Sequence, residues 1–536
     1  MTFNANHNPY ASTRAPQYAK NGMVATSHPL AAQAGLDALK AGGNAVDAAI
    51  ATAACLTVVE PTSNGIGGDA FAIVWMCGEM SALNASGPAP KSASIERVRS
   101  LGHETMPQLG WVPVTVPGAP AAWAALSERF GALPLSQCLA PAIAYAKNGH
   151  PVAPTVAKYW KRVHAAYKAR VASLEFAPWF DVFAPAGMAP AAGEIWASAA
   201  HAATLEEIGG TGARSFYSGA LADEIAAFSA KTGGFLAKSD LEEYQPEWVK
   251  PISARYRGYD VWEIPPNGQG LVALIALNVL SAYDFPEEES AAAYHKAFEA
   301  IKLAFATGKE YITDPSRMKA HWGDFLAAQY AAALRDRIGA TALDPAPVAP
   351  ASGGTVYLCT ADAQGNMVSY IQSNYMGFGS GVVVPGTGIA LQNRGADFSL
   401  DAARANALEG GKRSYHTIIP SFLTKDARAV GPFGVMGGYM QPQGHLQVVM
   451  NTVDFGLNPQ AALDAPRWQW TSGKRFEVEH HFPRHVALEL AEMGHQIHVP
   501  LDSGSFGRGQ IIWRDPETGA LCGGTESRCD GAIACW

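Results

Sequence analysis

The chain has 536 residues, of which 48% are hydrophobic and only 16% are charged, and its formal net charge is −8. This composition excludes intrinsic disorder, which requires low hydrophobicity and many charges, and it shows no basic face of the kind that binds nucleic acid. At ~100–200 residues per domain, the length fits several domains or one large intertwined core. Small-molecule chemistry is therefore the starting hypothesis.

The sequence shows little sign of a segment that would direct the chain to a membrane or an export pathway. The N-terminus lacks the apolar core of a secretory signal, and the longest clean apolar run, 48–59, is shorter than the ~20 residues of a membrane helix. The seven cysteines form no CxxC pair, so neither a zinc site nor a redox motif is predicted. We expect a cytoplasmic protein with free thiols that neither enters a membrane nor binds nucleic acid.

The first part of the chain is predicted to alternate between helices and strands. Ser27 is the expected N-cap of a helix that stops at Gly42 and Gly43, and a second, Ala-rich helix begins at Asn44. Further elements are predicted as a strand over 23–26, a strand after the glycine-rich turn 64–69, mainly helices over 118–235, two β-type runs within 249–266, and helices over 271–283 and 291–311.

The composition changes after residues 344–354, DPAPVAPASGG, which are too rich in proline and glycine for a regular element and predict an exposed linker. The segments that follow are predicted as a hairpin of 355–362 with 367–373, strands over 381–385, 418–424 and 430–436, a helix beginning near His445, and a helix with Pro483 at its first position. Helices and strands on both sides of the linker favour layered α/β packing over two independent domains.

Common catalytic signatures are absent: the sequence has no GxSxG, no phosphate-binding GxxxxGK[ST] and no HExxH. Glu479, His480, His481 and His485 have metal-like spacing, but they straddle a predicted helix start, so we favour a polar helix entry and expect no metal. The turn 64–69, NGIGGD, lacks the dinucleotide-binding spacing, and we interpret it as a tight turn with close backbone packing.

A glycine pair directly precedes a predicted strand that begins with Thr355. If the bond between Gly354 and Thr355 were cut, Thr355 would carry a free α-amine beside its own hydroxyl, and an amine of pKa ~7.7–8.0 can serve as its general base. A second pair, Gly437 and Gly438, follows a strand and could offer two N–H groups to an oxyanion. Spacing alone also allows an ordinary linker and an ordinary glycine turn.

The chain resembles the γ-glutamyltransferase family of N-terminal-nucleophile hydrolases along nearly its whole length. The resemblance rests on segments in the family's order, including NGMVATSHPLAAQAGLDALKAGGNAVDAAIA, EPTSNGIGGDAF, GGTVYLCTADAQGNMVSYIQS, NRGADFSL, GKRSYHTIIPS and FGVMGGYMQPQGHLQ. It implies a four-layer αββα sandwich and self-cleavage between Gly354 and Thr355. The products would be a large subunit, 1–354, and a small subunit, 355–536, intertwined in one domain.

The resemblance also implies site residues. Thr355 is the nucleophile, Ser373 the supporting hydroxyl, Gly437 and Gly438 the oxyanion pair, and Asp397 the acid that holds a substrate amino group. The family's substrate contacts are changed at five positions, which read Ser86, Tyr375, Arg394, His416 and Thr417.

Ser86 replaces an arginine that binds the donor carboxylate, which removes a strong bidentate contact. Arg394 and His416 could rebuild a carboxylate site, or they could be structural, with Arg394 paired to Asp397 and His416 bonded to backbone. These changes are similar to those of the cytoplasmic branch that includes glutathione-hydrolase-like proteins, oxamate amidohydrolases and cephalosporin acylases.

The resulting hypothesis is a threonine amidohydrolase that needs no cofactor and prefers hydrolysis of a small polar amide to acyl transfer. Its partners are the substrate and the two subunits of one precursor, and a homodimer is compatible with it. The alternatives are a true γ-glutamyl hydrolase or transferase with a rearranged donor site, and a non-catalytic scaffold that is never processed.

Overall fold

The computed structural model describes residues 14–287, 289–345 and 354–536. Its strands are β1 Gln17–Ala19, β2 Gly22–Thr26, β3 Asp69–Met76, β4 Glu79–Ala85, β5 His150–Pro151, β6 Ile195–Trp196, β7 Glu247–Val249, β8 Ile252–Tyr256, β9 Tyr259–Glu263, β10 Gly354–Asp362, β11 Met367–Tyr375, β12 Ser421–Lys425, β13 Arg428–Met436, β14 Trp468–Ser472, β15 Arg475–Val478, β16 Gln496–His498, β17 Arg508–Arg514, β18 Leu521–Thr525 and β19 Ala532–Cys535.

The α-helices follow the predicted order and fall on both sides of residue 355. They are α1 Pro29–Lys40, α2 Ala45–Val59, α3 Ile95–Ser100, α4 Ala119–Phe130, α5 Leu135–Asn148, α6 Pro154–Arg170, α7 Ala177–Phe183, α8 Ala199–Thr211, α9 Arg214–Ser218, α10 Ala220–Lys231, α11 Lys238–Glu242, α12 Gly270–Leu280, α13 Ala291–Tyr311, α14 Ala328–Arg335, α15 Met440–Val453, α16 Pro459–Asp464 and α17 Arg484–Glu492. Within the described ranges, none of the helices is both long and apolar enough to cross a membrane.

Two seven-stranded antiparallel sheets form the centre of the molecule. One has the order β1-β18-β17-β13-β12-β9-β8 and the other β19-β2-β10-β11-β3-β4-β7. Each sheet takes strands from before and after Thr355, so the two parts of the chain share one core. This arrangement agrees with the expectation of layered packing across the whole chain.

The two sheets stack face to face through their central strands, because β10 and β11 pack against β13 and β17. The contact is close at Gly434, where an added Cβ would lie 2.5 Å from the Tyr357 ring. Buried apolar side chains of both sheets, including Ile371, Phe422 and Met436, fill the space between them. This packing brings the start of β10 and the end of β13 into the middle of the molecule.

Helices cover the outer face of each sheet. The first two helices pack on β2, β10 and β11, while α12, α15 and α16 pack on the other sheet. The start of α2 follows from its sequence: the Asn44 side chain accepts from the N–H groups of Val46 and Asp47, and Asp47 accepts from the Asn44 N–H. The resulting four layers are the αββα sandwich that the resemblance implied.

Several predicted boundaries differ from the observed ones. His28, not Ser27, is the N-cap of α1, because the Ser27 hydroxyl instead donates to the buried carboxylate of Glu60. Pro483 is the N-cap of α17 rather than its first helical residue. The helix predicted near His445 begins at Met440, two residues after the glycine pair.

The predicted strand over 381–385 is wrong: only the isolated bridge of Val383 with Ala390 forms there. Positive φ angles at Gly379, Gly381 and Gly386 bend the backbone, so a continuous ladder cannot form. The strand expected over 418–424 is observed as Ser421–Lys425, so it starts three residues later and ends one residue later. Most of the predicted linker, 346–353, including Gly353, lies outside the described residues.

Candidate active site

The predicted cleavage position lies at the start of β10, in the centre of its sheet. Gly354 pairs with Tyr375 on β11, and the ladder has a bulge between Gly354 and Val356, which leaves Thr355 at the irregularity. Thr355 is 1% exposed. A Cβ added at Gly354 would lie 3.1 Å from the Gly377 N and 3.3 Å from the Ser63 Cα, so the close surroundings favour glycine.

Ser373 joins the nucleophile candidate to the carbonyl before it. Its Oγ lies 3.0 Å from Thr355 Oγ1, donates to the carbonyl oxygen of Gly354 at 2.7 Å, and accepts from the N–H of Tyr375 at 2.8 Å. A hydroxyl has one proton to donate. Because the Ser373 proton is directed to Gly354, the Thr355 hydroxyl is the donor in the remaining contact, and its lone pairs are free for attack.

The glycine-rich turn 64–69 supports this corner of the site. A Cβ at Gly68 would lie 2.6 Å from the Ser373 carbonyl oxygen, and one at Gly65 would lie 2.8 Å from Asn374 Nδ2. The expectation of close backbone packing at this turn is confirmed. The turn sets the position of the end of β11, and thereby the position of Ser373.

The glycine pair after β13 has backbone conformations that suit glycine. Gly437 has φ 143° and Gly438 has φ 60°. Within the described ranges, no residue accepts a hydrogen bond from either N–H, while Gln269 Nε2 donates to the carbonyl oxygen of Gly438 at 2.9 Å. Two unpaired N–H groups with a fixed peptide orientation are what an oxyanion hole requires.

Arg394 is fully buried beside Tyr375. Its Nη1 donates to Thr417 Oγ1 at 2.7 Å, and its guanidinium lies 4.1 Å from the centre of the Tyr375 ring. Burial lowers the pKa of Arg394 from its ordinary value. Its Nε and Nη2 have no partner among the described residues, and no ion pair joins Arg394 to Asp397. This free edge of the guanidinium, Nε and Nη2, is buried and makes no hydrogen bond with the described residues.

Asp397 is half engaged. Its Oδ1 accepts from the Tyr439 hydroxyl at 2.7 Å, whereas its Oδ2 has no partner within the described residues. Asp397 also lines a cavity of about 650 Å³, whose lining includes Lys309, Tyr415 and Asn406. The free oxygen can accept from an amine or another N–H donor of a ligand.

His416 is held by the protein itself. Its Nε2–H donates to Asp69 Oδ2 at 2.8 Å, and its Nδ1 accepts from the Ile418 N–H at 3.3 Å. Burial raises the pKa of Asp69 to about 7, and burial followed by the charge of Arg394 holds the pKa of His416 well below its ordinary range. With both ring nitrogens engaged, these contacts favour the structural role of the two roles considered for His416.

Ser86 is buried away from any free ligand contact. Its hydroxyl donates to Asn84 Oδ1 at 2.6 Å and accepts from Asn267 Nδ2 at 3.2 Å. Among the predicted substrate-binding residues, Arg394 and Asp397 are therefore the two whose side chains keep polar atoms without a hydrogen-bond partner in the described residues. Thr417 contributes by orienting Arg394, and Tyr375 by stacking on it.

The residues before α17 that have metal-like spacing, Glu479 to His485, include a carboxylate that is already used in ion pairs. Glu479 accepts from Arg528 Nε at 2.6 Å and from the N–H of Arg467 at 2.8 Å, so its carboxylate is committed. Within the described part of the chain, the one cluster with metal-ligand spacing is His295, Glu299 and His495. There the ammonium of Lys302 lies 2.6 Å from Glu299 Oε1 and neutralises the carboxylate that would otherwise bind a metal ion.

Three residues at the site were not singled out by the sequence. Asp69 was seen only as the end of a glycine-rich turn, and its contact with His416 spans 347 residues. Tyr439 directly follows the glycine pair, which is a signal that could have identified it. Lys309 lies on α13, which also buries Glu299 and Lys302, so no sequence signal separates it from the other charged residues of that helix.

The chain is similar to known proteins along nearly its whole length. The gamma-glutamyltranspeptidase family profile matches residues 31–536. The glutathione hydrolase-like YwrD proenzyme of Bacillus subtilis is 36% identical over 520 residues, covering 95% of this chain and 97% of the relative. The oxamate amidohydrolase proenzyme of Klebsiella pneumoniae is 34% identical over 530 residues, covering 96% and 98%.

A solved structure, the cephalosporin acylase from Bacillus halodurans, is similar over the whole chain. It shares 60% sequence identity and superposes with a TM-score of 0.98, covering 100% of this chain and 99% of the acylase. Together these matches show that the chain belongs to the gamma-glutamyltranspeptidase family and is an amide-bond hydrolase with the N-terminal-nucleophile fold.

Proposed function

We propose that the chain cuts itself between Gly354 and Thr355 and then uses Thr355 as both nucleophile and general base. The observation that carries this proposal is the pair of hydrogen bonds of Ser373, one to the Thr355 hydroxyl and one to the Gly354 carbonyl. The single hydroxyl of Ser373 thus contacts both the attacking group and the bond to be cut.

In the first step, Thr355 Oγ1 attacks the carbonyl carbon of Gly354. The Thr355 proton moves toward Ser373, while the Ser373 proton stabilises the negative charge on the carbonyl oxygen. Collapse breaks the C–N bond, and the proton that Ser373 accepted passes to the nitrogen, which leaves Gly354 as an ester on the Thr355 oxygen and frees the α-amine of Thr355. Water then hydrolyses the ester, which gives a carboxylate on Gly354 and restores the Thr355 hydroxyl.

In turnover, the same hydroxyl attacks an amide substrate. The α-amine takes the hydroxyl proton and later delivers it to the leaving amine, while the N–H groups of Gly437 and Gly438 stabilise the oxyanion. One oxyanion donor contributes about 3 kcal/mol. We expect water, and not an acceptor amine, to attack the acyl-enzyme, which makes the overall reaction hydrolysis and not acyl transfer.

The proposed substrate is a small amide whose acyl group carries a carboxylate. The free edge of Arg394 suits a carboxylate or another strong acceptor, and the free oxygen of Asp397 suits an N–H donor. The same pair favours a second candidate, a γ-glutamyl amide, because its α-carboxylate and amino group match both free groups. The proposal also includes the large and small subunits as partners, and a cytoplasmic location, which the seven unpaired cysteines support.

The experiment compares ammonia release from oxamate with release of the amine from a chromogenic γ-glutamyl amide, using enzyme whose processing has been verified. Activity on oxamate or on other simple carboxylate amides supports the first candidate. Glutamate release from the γ-glutamyl amide supports the second. Processed enzyme that hydrolyses neither class contradicts the assignment of the acyl pocket, and a chain that is never processed favours the non-catalytic scaffold.

A further inference from the structure

Glu60 directly follows α2 and begins the turn 60–63, which lies against the proposed cleavage position. A Cβ added at Gly354 would lie 3.3 Å from the Ser63 Cα. The carbonyl oxygen of Ser63 also accepts from the N–H of Asn374 on β11, at 3.5 Å. The position of this turn therefore sets the space beside the bond to be cut.

The Glu60 carboxylate is buried and contacts two other parts of the chain. The Ser27 hydroxyl donates to its Oε2 at 2.5 Å, and Arg508 Nη1 lies 3.4 Å from its Oε1. The side chains of Glu60 and Arg508 are only 3% and 8% exposed. Salt screens a buried pair much less than an exposed one, so this ion pair links α2 to β17 at physiological ionic strength.

Arg508 lies on the opposite side of the site, next to the glycine pair. It is the first residue of β17 and pairs with Met436, the residue before Gly437. A Cβ added at Gly437 would lie 3.0 Å from the Cα of Gly507, which directly precedes Arg508. The ion pair therefore connects the turn 60–63 to the backbone beside the glycine pair.

The charge of the Glu60 carboxylate depends on pH near neutrality. Burial raises its pKa to about 7, although the charge of Arg508 and the hydrogen bond from Ser27 oppose this change. The other charged or titratable side chains that face the ion pair are Tyr159, Cys529 and Asp530. A protonated carboxyl no longer attracts the guanidinium, so the link weakens as the pH falls below 7.

We propose that Glu60 and Arg508 are positioning residues for self-cleavage, and that the charged carboxylate of Glu60 holds the turn 60–63 against Gly354. This inference rests on the proposed function and adds a dependence of processing on pH. The reacting groups of the first step are two hydroxyls and an amide, which do not titrate near pH 7. A change of the cleavage rate near neutral pH therefore reports a group that does not itself react.

The test follows self-cleavage by intact mass, using precursor made by cell-free synthesis, from pH 6 to pH 8. The wild-type rate should fall about tenfold from pH 8 to pH 6, because the charged fraction of a group with a pKa of about 7 falls by that factor. Glu60→Gln should cleave about tenfold or more slowly than wild type at pH 8, with less than about a twofold change over this range. Ser27→Ala removes a hydrogen bond to the charged form and should move the midpoint of the curve to higher pH.

Glu263→Gln is the matched control. Glu263 is also a fully buried carboxylate whose pKa is raised by burial, but it lies on β9 of the other sheet and pairs with His445 at 2.7 Å. This variant should keep the wild-type rate and pH profile within about twofold. Glu60→Gln avoids the cost of burying a charge, so its free energy of unfolding at pH 8 should not fall, and slow cleavage would then not reflect a loss of stability.

A folded Glu60→Gln variant that cleaves at the wild-type rate at pH 8 would overturn the inference, and so would equal slowing in Glu263→Gln. A wild-type rate that stays constant between pH 6 and pH 8 would also overturn it, and this measurement needs no variant. Burial raises the pKa of Asp69 to about 7 as well, so a pH dependence that persists in Glu60→Gln but disappears in Asp69→Asn would refute the role of Glu60. A wild-type chain that is not cut at any pH would instead contradict the proposed function, and this result is distinct from the others.

Discussion

The hydroxyl of Ser373 provides the sharpest test of the cleavage geometry. Replacing Ser373 with Ala removes the 2.7 Å hydrogen bond to the carbonyl oxygen of Gly354 and the acceptor for the Thr355 proton. A lost oxyanion donor costs about 3 kcal/mol of transition-state stabilisation. At about 1.4 kcal/mol for each factor of ten, we expect self-cleavage to slow at least about 100-fold.

The assay is a time course of precursor and product chains by intact mass after purification at low temperature. Ser369→Ala is a matched control, because Ser369 is also buried on β11 and, among the residues that the structure describes, its hydroxyl bonds only the Tyr357 side chain, at 2.7 Å. Ser369→Ala loses one buried hydrogen bond and should lower the free energy of unfolding by about 1–3 kcal/mol, whereas Ser373→Ala loses three contacts and should lower it further, so the stability of both variants is measured beside the cleavage rate. Only Ser373→Ala should lose cleavage.

Ser373→Thr restores the hydroxyl and should process within a few-fold of the wild-type rate. Cleavage of folded Ser373→Ala at the wild-type rate would refute the reasoning, since the hydroxyl would then neither polarise the carbonyl nor accept the proton. Equal slowing in Ser369→Ala would refute it too, because the effect would then follow from stability and not from chemistry.

Three further predictions test other parts of the account. Glu526→Gln should lower the free energy of unfolding by about 3 kcal/mol at pH 7, because Arg467 and Arg528 hold the pKa of Glu526 at about 2, although burial alone would raise it. This stabilisation is present above pH 4.5 and is lost as the pH falls toward 2. Denaturant unfolding that shows the same difference between wild type and variant at pH 3 and at pH 7 would contradict the prediction. Gly437→Ala, at φ 143°, should lower kcat at least about 100-fold because it turns the N–H that faces the oxyanion. Gly386→Ala, at φ 75° in open surroundings, should lower stability without lowering kcat. Equal kcat values for these two variants in steady-state assays would argue against the oxyanion role of Gly437. Arg394→Lys keeps the charge but loses the planar edge, so KM for carboxylate-bearing amides should rise about tenfold or more with a smaller change in kcat, and an unchanged KM would remove Arg394 from the acyl pocket.

The sequence predicted the parts of the site that depend on local patterns. The hairpin of β10 and β11 follows from two β-rich runs around a short polar turn, and its pairing brings Thr355 close to Ser373. The glycine turn 64–69 was also interpreted correctly, because adjacent glycines indicate a close approach of backbone. The layered architecture followed from the resemblance along the whole chain and from the mixing of helices and strands.

The contacts that the sequence did not predict are long-range and chemical. Whether His416 binds a ligand depends on Asp69, the first residue of β3, which engages Nε2 of the ring, while the Ile418 N–H engages Nδ1. In the same way, the free edge of Arg394 could not be foreseen, since an arginine three residues before Asp397 suggests an ion pair that does not form. Helix and strand starts shifted where a side chain found a tertiary partner, as Ser27 did with Glu60.

The most direct test of the central claim is the intact mass of the purified protein after incubation near neutral pH, compared with that of Thr355→Ala. The account predicts two chains from the wild type, whose masses sum to the precursor plus one water, with a small chain of 536 − 354 = 182 residues that begins at Thr355. Thr355→Ala should remain a single chain without amidase activity. A cleaved and active Thr355→Ala protein, or a wild-type cut at any other bond, would contradict the claim that Thr355 is the nucleophile.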